Sequence, residues 1–390
     1  MIKLKSLPQT PEAALQKLGW NWMLGTDTTP YLVKDVVVID EDTATQYYEA
    51  AAALYDMFVE AGQHAIDNQL FSEMGIAENL VDMIKISWEE DRNVHLYGRF
   101  DLAGGFDGQP VKLIEFNADT ATCIPESAVV QWAHLRTNNE DESSQFNTLY
   151  ETLVKQFQYI KLVNNDMTSS ILFSTMRDYP EDDTNVNILS EAAKEAGFEV
   201  AFAYIDEVEF SKEGIFKQES SGSGNFIRYD FWFKLVPWEH IGNDEPDLTS
   251  LLTEIVRNRL AVILNPAYTL LFQSKFILKI LWDLYPYHPL LLQTETDVIA
   301  HKKSVGKVLF GREGANVSII EEGGEVSEQV EGEYDDQKKI YQEYVEFPTD
   351  EEGFSYQAGV FYAGEPCALG FRRGGKILDN TAQFVGHIVE

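Results

Sequence analysis

Apolar residues at helical spacing predict that the first 95 residues are mainly helical. Residues 50–64 are rich in alanine, and their larger apolar side chains recur every three or four positions, as on one face of a helix. Residues 79–88 continue the same spacing. We therefore expect a mainly helical N-terminal region at 1–95.

The pattern changes to alternating apolar and polar positions near residue 96. Residues 94–101 and 111–117 predict two strands, and the glycine-rich stretch between them predicts a turn. Helical spacing returns at 125–135 and again at 145–162. The region 96–169 is therefore predicted to be a hairpin followed by helices.

From residue 170 onward, a strand, a helix and a second strand follow one another at 171–173, 187–197 and 199–204. This order is typical of a βαβ unit in a parallel sheet. The other elements expected before residue 300 are a strand at 226–235 and helices at 251–260 and 269–285. We place a boundary at residue 260, so that 170–260 and 261–390 form two further regions.

In the last third of the chain, short apolar runs are separated by glycines and acidic turns. They predict five strands, at 307–310, 317–320, 340–345, 356–362 and 368–372. Short strands with tight turns usually pair antiparallel. The expected fold class therefore combines α+β structure with an α/β unit.

The composition indicates a large folded core and a strongly acidic chain. Of the 390 residues 44% are hydrophobic, and 64 acidic residues face 30 basic ones, for a formal net charge of −34. With no run of Lys or Arg, such a chain repels nucleic acid, so we expect no nucleic-acid partner. The acidity favours either solubility or the attraction of a cationic substrate such as an amine.

The two cysteines, Cys123 and Cys367, have neither zinc-site spacing nor a disulfide framework, which favours a reducing, cytoplasmic location. Residues 1–10 lack the apolar segment of a signal peptide. The apolar stretch 261–284 is interrupted by polar and charged residues, so no membrane span is expected.

Two pairs of polar residues on the first predicted hairpin are candidates for a metal site. Side chains alternate along a strand, so Arg99 shares a face with Asp101, and Glu115 shares one with Asn117. A hairpin would bring these faces together, and the oxygens of Asp101, Glu115 and Asn117 would suit Mg²⁺. Arg99 could hold an anion beside them. The alternative is a surface hairpin with a cross-strand ion pair.

A glycine-rich segment at 310–316, with Lys307 before it, is a candidate phosphate loop. Its small residues would let backbone N–H groups approach phosphate oxygens, although it matches neither a Walker A loop nor a dinucleotide-binding fingerprint. An ordinary hairpin turn is the alternative. Lys275 lies on an otherwise apolar predicted helix, where it either meets an anion or extends its amine to solvent.

Taken in order, these segments resemble the glutathionylspermidine synthase family. The resemblance extends from about residue 20 to the C-terminus. The stretches that carry it are Arg99-Phe100-Asp101, Glu115 to Thr120, Phe233 to Glu239, Lys275 with Leu281-Trp282, Phe310 to Val317, and Gly370-Phe371-Arg372.

The resemblance implies an ATP-grasp fold with glutathione-synthetase-like architecture, in which 96–169 binds metal and substrate, 170–260 is a pre-ATP-grasp substrate domain and 261–390 forms the nucleotide-binding lobes. It implies ATP- and Mg²⁺-dependent C–N ligation of small-molecule substrates, a carboxylate and an amine, through an acyl phosphate. A peptide and a polyamine are the candidate substrates.

The resemblance also implies residue roles. The metal ligands would be Asp101, Glu115 and Asn117, and the transferring phosphoryl group would be held by Arg99 and Arg372. The ATP phosphates would meet Lys275 and Lys307 with Gly311, Arg312 and Gly314 of the glycine-rich segment, and the adenine would meet Gln342 and Glu343. The acid substrate would face Thr120, Thr122 and Lys234.

An acidic loop after the strand at 171–173 is the candidate amine site. The resemblance maps a pair of polyamine-binding carboxylates onto Glu181 and Asp182, for which a solvated acidic loop is the alternative. For the whole chain, the alternatives to a ligase are a nucleotide-binding protein that retains the fold without turnover and a phosphotransferase that stops at phosphorylation.

Overall fold

The structure is a computed structural model that describes residues 2–26, 30–220, 222–334 and 336–390. Its helices are α1 (Glu12–Leu18), α2 (Glu41–Asp67), α3 (Glu78–Glu89), α4 (Gln131–Thr137), α5 (Leu149–Val163), α6 (Pro180–Glu195), α7 (Trp238–Asp244), α8 (Pro246–Arg257), α9 (Thr269–Gln273) and α10 (Ile277–Leu284). A short π-helical turn at Glu126–Val130 leads into α4.

The strands belong to five sheets. They are β1 (Leu4–Ser6), β2 (Asp35–Ile39), β3 (Gly98–Ala103), β4 (Lys112–Asn117), β5 (Ser170–Ser174), β6 (Glu199–Phe202), β7 (Val208–Ser211), β8 (Gly214–Gln218), β9 (Phe226–Tyr229), β10 (Phe231–Lys234), β11 (Val262–Leu264), β12 (Thr294–Glu295), β13 (Ser304–Val308), β14 (Ser318–Ile320), β15 (Val326–Gln329), β16 (Lys339–Glu343), β17 (Ser355–Tyr362), β18 (Pro366–Gly374), β19 (Gln383–Val385) and β20 (His387–Val389).

The central sheet is antiparallel, with strand order β19-β18-β17-β3-β4. It joins the predicted hairpin β3–β4 to strands that lie about 250 residues later in the chain, because β17 pairs with β3 along its length. Every residue of β3 is buried. The long helix α2, which begins after the capping carboxylate of Asp40, packs against β17 and β18.

A four-stranded parallel sheet, β11-β10-β5-β6, contains the predicted βαβ unit as β5, α6 and β6. All residues of β10 are buried, as expected for a parallel strand covered on both faces. The helix of this unit begins at Pro180 rather than near residue 187. Proline suits the first turn of a helix, and the acidic residues that follow it interact favourably with the helix dipole.

Three smaller sheets complete the fold. The last third supplies β12-β16-β13-β14-β15, which is antiparallel as predicted. The hairpins β7–β8–β9 form another sheet, and β1-β2-β20 ties the two ends of the described chain together. The N-terminal region is mainly helical, as predicted, but it also contributes β1 and β2, which the helical spacing did not indicate.

Two predicted elements are broken by contacts with distant residues. The strand predicted at 226–235 divides at Asp230, whose carboxylate accepts a hydrogen bond from the backbone of Thr168, and its halves join different sheets. The helix predicted at 269–285 divides into α9 and α10. There the backbone N–H of Lys275 leaves the helical ladder and bonds the carbonyl of Leu309 at 2.9 Å.

The sheets do not follow the four regions drawn from the sequence. Strand β11 lies after residue 260 but joins the parallel sheet of 170–234, and the central sheet combines strands from the second and last regions. Among the helices of the described ranges, none is both long and apolar enough to cross a membrane.

Candidate active site

The hairpin β3–β4 brings the predicted polar residues together on one face. Arg99 lies opposite Asn117, and Asp101 lies opposite Glu115. The guanidinium of Arg99 donates two hydrogen bonds to the carboxylate of Asp101, at 2.7 and 3.1 Å, and the amide of Asn117 donates a third at 3.1 Å. Arg99 and Asp101 are both buried. The face therefore holds a carboxylate in a fixed orientation.

Two buried lysines approach Glu115 from other parts of the chain. Lys275, between α9 and α10, lies 3.2 Å from the Glu115 carboxylate and donates to the carbonyl of Gly311 at 2.8 Å. Lys307 on β13 donates to the side chain of Gln342 and to the carbonyl of Ile114, at 2.8 and 3.2 Å. Lys275 thus lies in a junction rather than on an apolar helix, and its amine meets an anion.

The charges of this group shift one another's pKa values. Burial alone would raise the pKa of Glu115, but the two lysines and Arg99 lower it to about 2. Burial lowers the pKa of Lys307 to about 8, against the opposing effect of Glu115. Glu115 is therefore ionised near neutral pH. The pKa of Lys307 lies only about one unit above neutral pH, so its amine is mostly protonated there.

A cavity, here called the central cavity, opens beside these lysines. Predicted residues on its wall are Glu115, Lys275, Lys307, Gly311, Gly314, Gln342 and Glu343. Apolar residues of the last sheet, including Val305 and Ile319, form much of the remaining wall. The cavity combines two cationic amines with several apolar side chains, which suits a ligand with both an anionic and an apolar part.

A smaller cavity, here called the arginine cavity, adjoins the central cavity through the shared wall residue Gln357. Arg99, Asp101 and Arg372 line it. Arg372 lies opposite Gln357 in the β17–β18 ladder and donates to the carbonyl of Asp379 at 2.6 Å. The two arginines predicted to share an anion therefore reach the same cavity.

The glycine-rich segment follows β13 and forms part of the wall of the central cavity. Gly314 has a φ of +71°, and an added Cβ would lie 2.6 Å from the carbonyl oxygen of Leu378, so only glycine fits there. Arg312 bonds the hydroxyl of Thr120 at 2.8 Å and the carboxylate of Glu239 at 2.5 Å. Its side chain thus ties the segment to the residues after β4.

Lys234 occupies a different place from the one expected. Its side chain is fully buried, with its amine 2.9 Å from the carboxylate of Asp119 and 2.8 Å from the carbonyl of Val236. The second oxygen of Asp119 accepts the backbone N–H of Trp238 at 2.8 Å. Lys234 therefore positions the chain around Asp119 and presents no free face to a substrate.

The predicted acid-substrate threonines lie in the turn after β4. Thr120 is buried and its hydroxyl is held by Arg312, while the carbonyl of Thr122 accepts a hydrogen bond from Arg99 at 2.8 Å. The turn therefore adjoins both the arginine cavity and the glycine-rich segment.

Glu181 and Asp182 lie in the first turn of α6, not in a loop. Desolvation in the cleft and the nearby Glu313 raise the pKa of Glu181, while Arg372 and Arg99 oppose the shift. Partial burial and the neighbouring carboxylates raise the pKa of Asp182 to about 7. This acidic helix end therefore faces the arginines and the glycine-rich segment.

Three residues beside the site were not among the predicted ones. Gln357 joins the two cavities, and Glu313 adds a carboxylate beside the end of α6. Glu126 is fully buried; the Tyr31 hydroxyl donates to one of its oxygens at 2.6 Å, and the other has no hydrogen-bond partner among the described residues. Neither helical spacing nor alternation marks these positions, because distant segments create their surroundings.

The donor atoms on β3 and β4 are of the type that Mg²⁺ prefers. Asp101, Glu115 and Asn117 offer hard oxygen atoms on one face, and the low pKa of Glu115 keeps that ligand ionised. Within the described ranges, no group of three or more His, Cys, Asp and Glu side chains is arranged to hold a metal. The candidate set has two carboxylates and one amide, so bound phosphates and water would have to complete it.

The sheets and helices together form a glutathione-synthetase-like ATP-grasp fold. The solved structure of a glutathione synthetase-like effector from Globodera pallida matches 99% of this chain and 100% of its own, with a TM-score of 0.56 at 9% identity. At that identity the likeness concerns the fold alone, and it confirms the predicted fold class.

The family model of the glutathionylspermidine synthase preATP-grasp region matches residues 3–390. The chain therefore belongs to the glutathionylspermidine synthase family, which confirms the predicted family and the predicted class of enzyme, an ATP-dependent ligase that forms carbon–nitrogen bonds.

Three relatives illustrate this membership. A Haemophilus influenzae protein named for acid–amine ligase activity is 29% identical over 349 residues, which cover 86% of this chain and 84% of the relative. The bifunctional glutathionylspermidine synthetase/amidase of Escherichia coli and the trypanothione synthetase of Crithidia fasciculata are each 24% identical, over 78% and 83% of this chain. The chain spans about half the length of these two, 51% and 53%.

Proposed function

We propose that this protein joins a carboxylic acid to an amine, using ATP and Mg²⁺ to activate the carboxylate as an acyl phosphate. The observation that carries the proposal is the convergence of Glu115 with Lys275 and Lys307 in the central cavity, next to the arginine cavity. The names of the relatives support the same chemistry, since all three are ligases or synthetases.

When bound, ATP supplies the phosphoryl group that activates the acid, and Mg²⁺ neutralises charge on the phosphates. We assign the metal to Asp101, Glu115 and Asn117. Lys275 and Lys307 would hold phosphate oxygens, and the glycine-rich segment, with Gly311, Arg312 and Gly314, would cover them. We place the adenine against the apolar wall residues near Gln342 and Glu343, which line the same cavity.

Arg99 and Arg372 would hold the phosphoryl group during transfer. A phosphoryl group in transfer spreads negative charge over its oxygens, and fixed cations stabilise that charge without any protein nucleophile. Such a mechanism suits the state of Cys123 in the arginine cavity, because burial and Glu126 raise the pKa of its thiol to about 12. The thiol stays protonated and is not activated for attack.

The acid substrate would bind near Thr120 and Thr122, within reach of both arginines. The amine would bind at the end of α6, where Glu181 and Asp182 can accept its N–H bonds. A polyamine is the amine that best matches two adjacent carboxylates and a third at Glu313. We leave Lys234 out of this substrate site because its amine is already paired with the buried carboxylate of Asp119.

The test is an assay of ADP release over a panel of acids and amines, with the product identified by mass spectrometry. We expect ADP release that needs both an acid and an amine, and an amide as product. Binding of ATP without turnover on any pair would favour a non-catalytic nucleotide-binding protein. A phosphorylated acid without amide would favour a phosphotransferase.

A matched pair of variants connects the assay to the proposed metal site. Glu115→Gln should raise the Mg²⁺ concentration needed for half-maximal turnover at least ~10-fold, because a neutral amide binds a hard cation more weakly than a carboxylate. Glu209→Gln, an exposed strand position on β7, serves as the control. Equal Mg²⁺ dependence in the two variants would refute the assignment of Glu115.

A further inference from the structure

A separate cavity lies on the opposite face of the central sheet from Arg99 and Asp101. Phe100, between those two residues on β3, points the other way, stacks on Phe116 at 3.8 Å and contacts Tyr362 at the end of β17. Tyr362 lines this third cavity, here called the aromatic cavity, which has a volume of about 300 Å³. The sheet therefore separates the aromatic cavity from the proposed ligase site.

Seven rings dominate the wall of the aromatic cavity: Tyr55, Trp88, His95, Tyr159, Tyr268, Phe272 and Tyr362. Several are held by contacts with one another. Tyr55 stacks on Tyr362 at 3.9 Å and lies nearly parallel to His95 at 5.8 Å, and Trp88 meets Tyr268 edge-on at 5.3 Å. The wall is therefore built from fixed rings rather than from mobile apolar side chains.

On this wall the hydroxyl of Tyr55 can act only as an acceptor toward a ligand. Nε2 of His95 lies 2.9 Å from the carbonyl of Ala118 and must donate to it, so Nδ1 accepts the hydroxyl proton of Tyr55 at 3.2 Å. Burial lowers the pKa of His95 to about 4, so the ring is neutral near pH 7. The hydroxyl proton of Tyr55 is therefore used in its hydrogen bond to His95. The lone pairs of the Tyr55 oxygen remain available to a ligand.

The charge around the aromatic cavity is negative. Glu90 and Asp91 belong to the wall, and none of the described wall residues is Lys or Arg. Glu90 is compensated by Arg259 at 3.1 Å, whereas Asp91 is exposed and forms no ion pair with any described residue of the chain. An anionic ligand would find no cationic partner on this wall.

We propose that the aromatic cavity binds a small organic cation, an alkylammonium with an apolar body. Ring faces attract a cation through their quadrupoles, and enclosure by several rings strengthens the attraction. The phenol oxygens and Asp91 add acceptors and charge of the complementary sign. This site is distinct from the proposed amine site at α6, and both can be occupied together because the sheet lies between them.

The test is calorimetric titration of the full chain with choline and with 3,3-dimethylbutan-1-ol, a neutral molecule of nearly the same shape. We expect choline to bind and the neutral alcohol to bind at least ~10-fold more weakly, because only the charge differs. Equal affinity would make the cavity a merely apolar site. No heat from choline up to tens of millimolar would also overturn the proposal.

Variants locate the binding. Tyr362→Leu and Tyr159→Leu should each weaken choline binding at least ~10-fold. Tyr159 is 49% exposed at the rim, so its replacement leaves the core intact. Tyr287→Leu, a tyrosine that is 87% exposed and lies outside the cavity, is the control. Unchanged affinity in both cavity variants would overturn the proposal.

A final variant separates this site from the ligase site. The double change Glu181→Gln with Asp182→Asn should leave choline affinity unchanged, since Glu181 interacts with Arg99 and Arg372 of the arginine cavity, on the other face of β3. Loss of choline binding in this variant would overturn the proposal by placing the cation in the active site. The proposed ligase function would stand in that case, so the two failures are distinguishable.

Discussion

The two faces of strand β3 differ in what they contribute to the protein. Arg99 and Asp101 point toward the arginine cavity, whereas Phe100 packs against Phe58 of α2 and Phe116 of β4. The polar face buries charges, which by itself is unfavourable, and the aromatic face buries apolar area, which is favourable. One strand thus combines a destabilising face, which belongs to the candidate site, with a face that stabilises it.

The difference teaches how a buried charged site is held. The Arg99–Asp101 pair is fixed by three hydrogen bonds, but a buried ion pair contributes little net stability. The orientation of these side chains depends on the backbone of β3, and that backbone is fixed by ring packing on the far side. We therefore expect substitutions on the two faces to separate stability from ligand binding.

The largest effect is expected on the aromatic face. Phe116→Ala removes a buried ring that stacks on Phe100 and contacts Phe58 at 5.2 Å. Its free energy of unfolding should fall by about 3–5 kcal/mol, as measured in denaturant titrations. Phe226→Ala, half exposed on β9, is the control and should change stability by no more than about 0.5 kcal/mol. A small loss for Phe116→Ala would contradict the stabilising role of this face.

The two faces should also respond to pH with opposite signs. Burial raises the pKa of Glu126, beside the polar site, from 4.5 to about 7, with Tyr31 and Arg99 opposing and Glu181 adding to the shift. Between these pKa values the folded state binds more protons than the unfolded state, so this group makes stability fall as pH rises. Burial lowers the pKa of His95 from 6.5 to about 4, so that group makes stability rise with pH over an overlapping range.

Single variants should reveal these opposing contributions, each of about 3 kcal/mol at most. Relative to the parent, Glu126→Gln should gain stability from pH 4.5 to 7, and His95→Gln should lose stability over the range from pH 4 to 6.5. The measurement is the free energy of unfolding at a series of pH values. The prediction concerns how the difference between variant and parent changes with pH, and not its size at any one pH. Parallel curves for a variant and the parent would refute the contribution of that residue.

On the polar side, Lys307 should affect binding more than stability. Burial lowers its pKa to about 8, so the charged amine is unfavourable in the free protein. Lys307→Met should leave the free energy of unfolding unchanged or higher, yet weaken ATP binding about 100-fold through loss of a charged hydrogen bond. Calorimetry checks the affinity, with Lys212→Met, 82% exposed, as control. In the parent, ATP affinity should decline as pH rises above about 8.

The polar residues of β3 and β4 could be predicted from the sequence. The residues that other parts of the chain bring next to them could not. Alternation along two adjacent strands is a local property, so the meeting of Asp101 with Glu115 followed from a hairpin alone. The pairing of Lys234 with Asp119 was not predicted, because Asp119 lies 115 residues away in the chain. Gln357 was not predicted because it reaches the site only through the pairing of β17 with β3.

The family motifs supplied what local patterns could not. They predicted that Lys275 and Lys307 belong to one site, and the structure places both on the wall of the central cavity, although local spacing favoured a single helix through Lys275. That helix is interrupted because the backbone of Lys275 bonds Leu309 and the hydroxyl of Ser274 bonds Met74. Neither contact leaves a periodic signal in the sequence. The aromatic cavity likewise combines rings from several distant segments, and no motif marked it.

The smallest effect is expected at the acidic end of α6, which neither face of β3 contains. The double change Glu181→Gln with Asp182→Asn should raise the amine KM about 10-fold and leave ATP affinity unchanged, because each carboxylate loses only a partly solvated charge-assisted hydrogen bond. Glu191→Gln, farther along the same helix, is the control.

Since the pKa of Asp182 is raised to about 7, the parent's amine KM should fall as pH rises through 7, as this carboxylate ionises. The double variant should lack that decrease. Steady-state kinetics at several pH values test both points, and an unchanged KM with the same pH profile would show that this helix end is only a solvated surface.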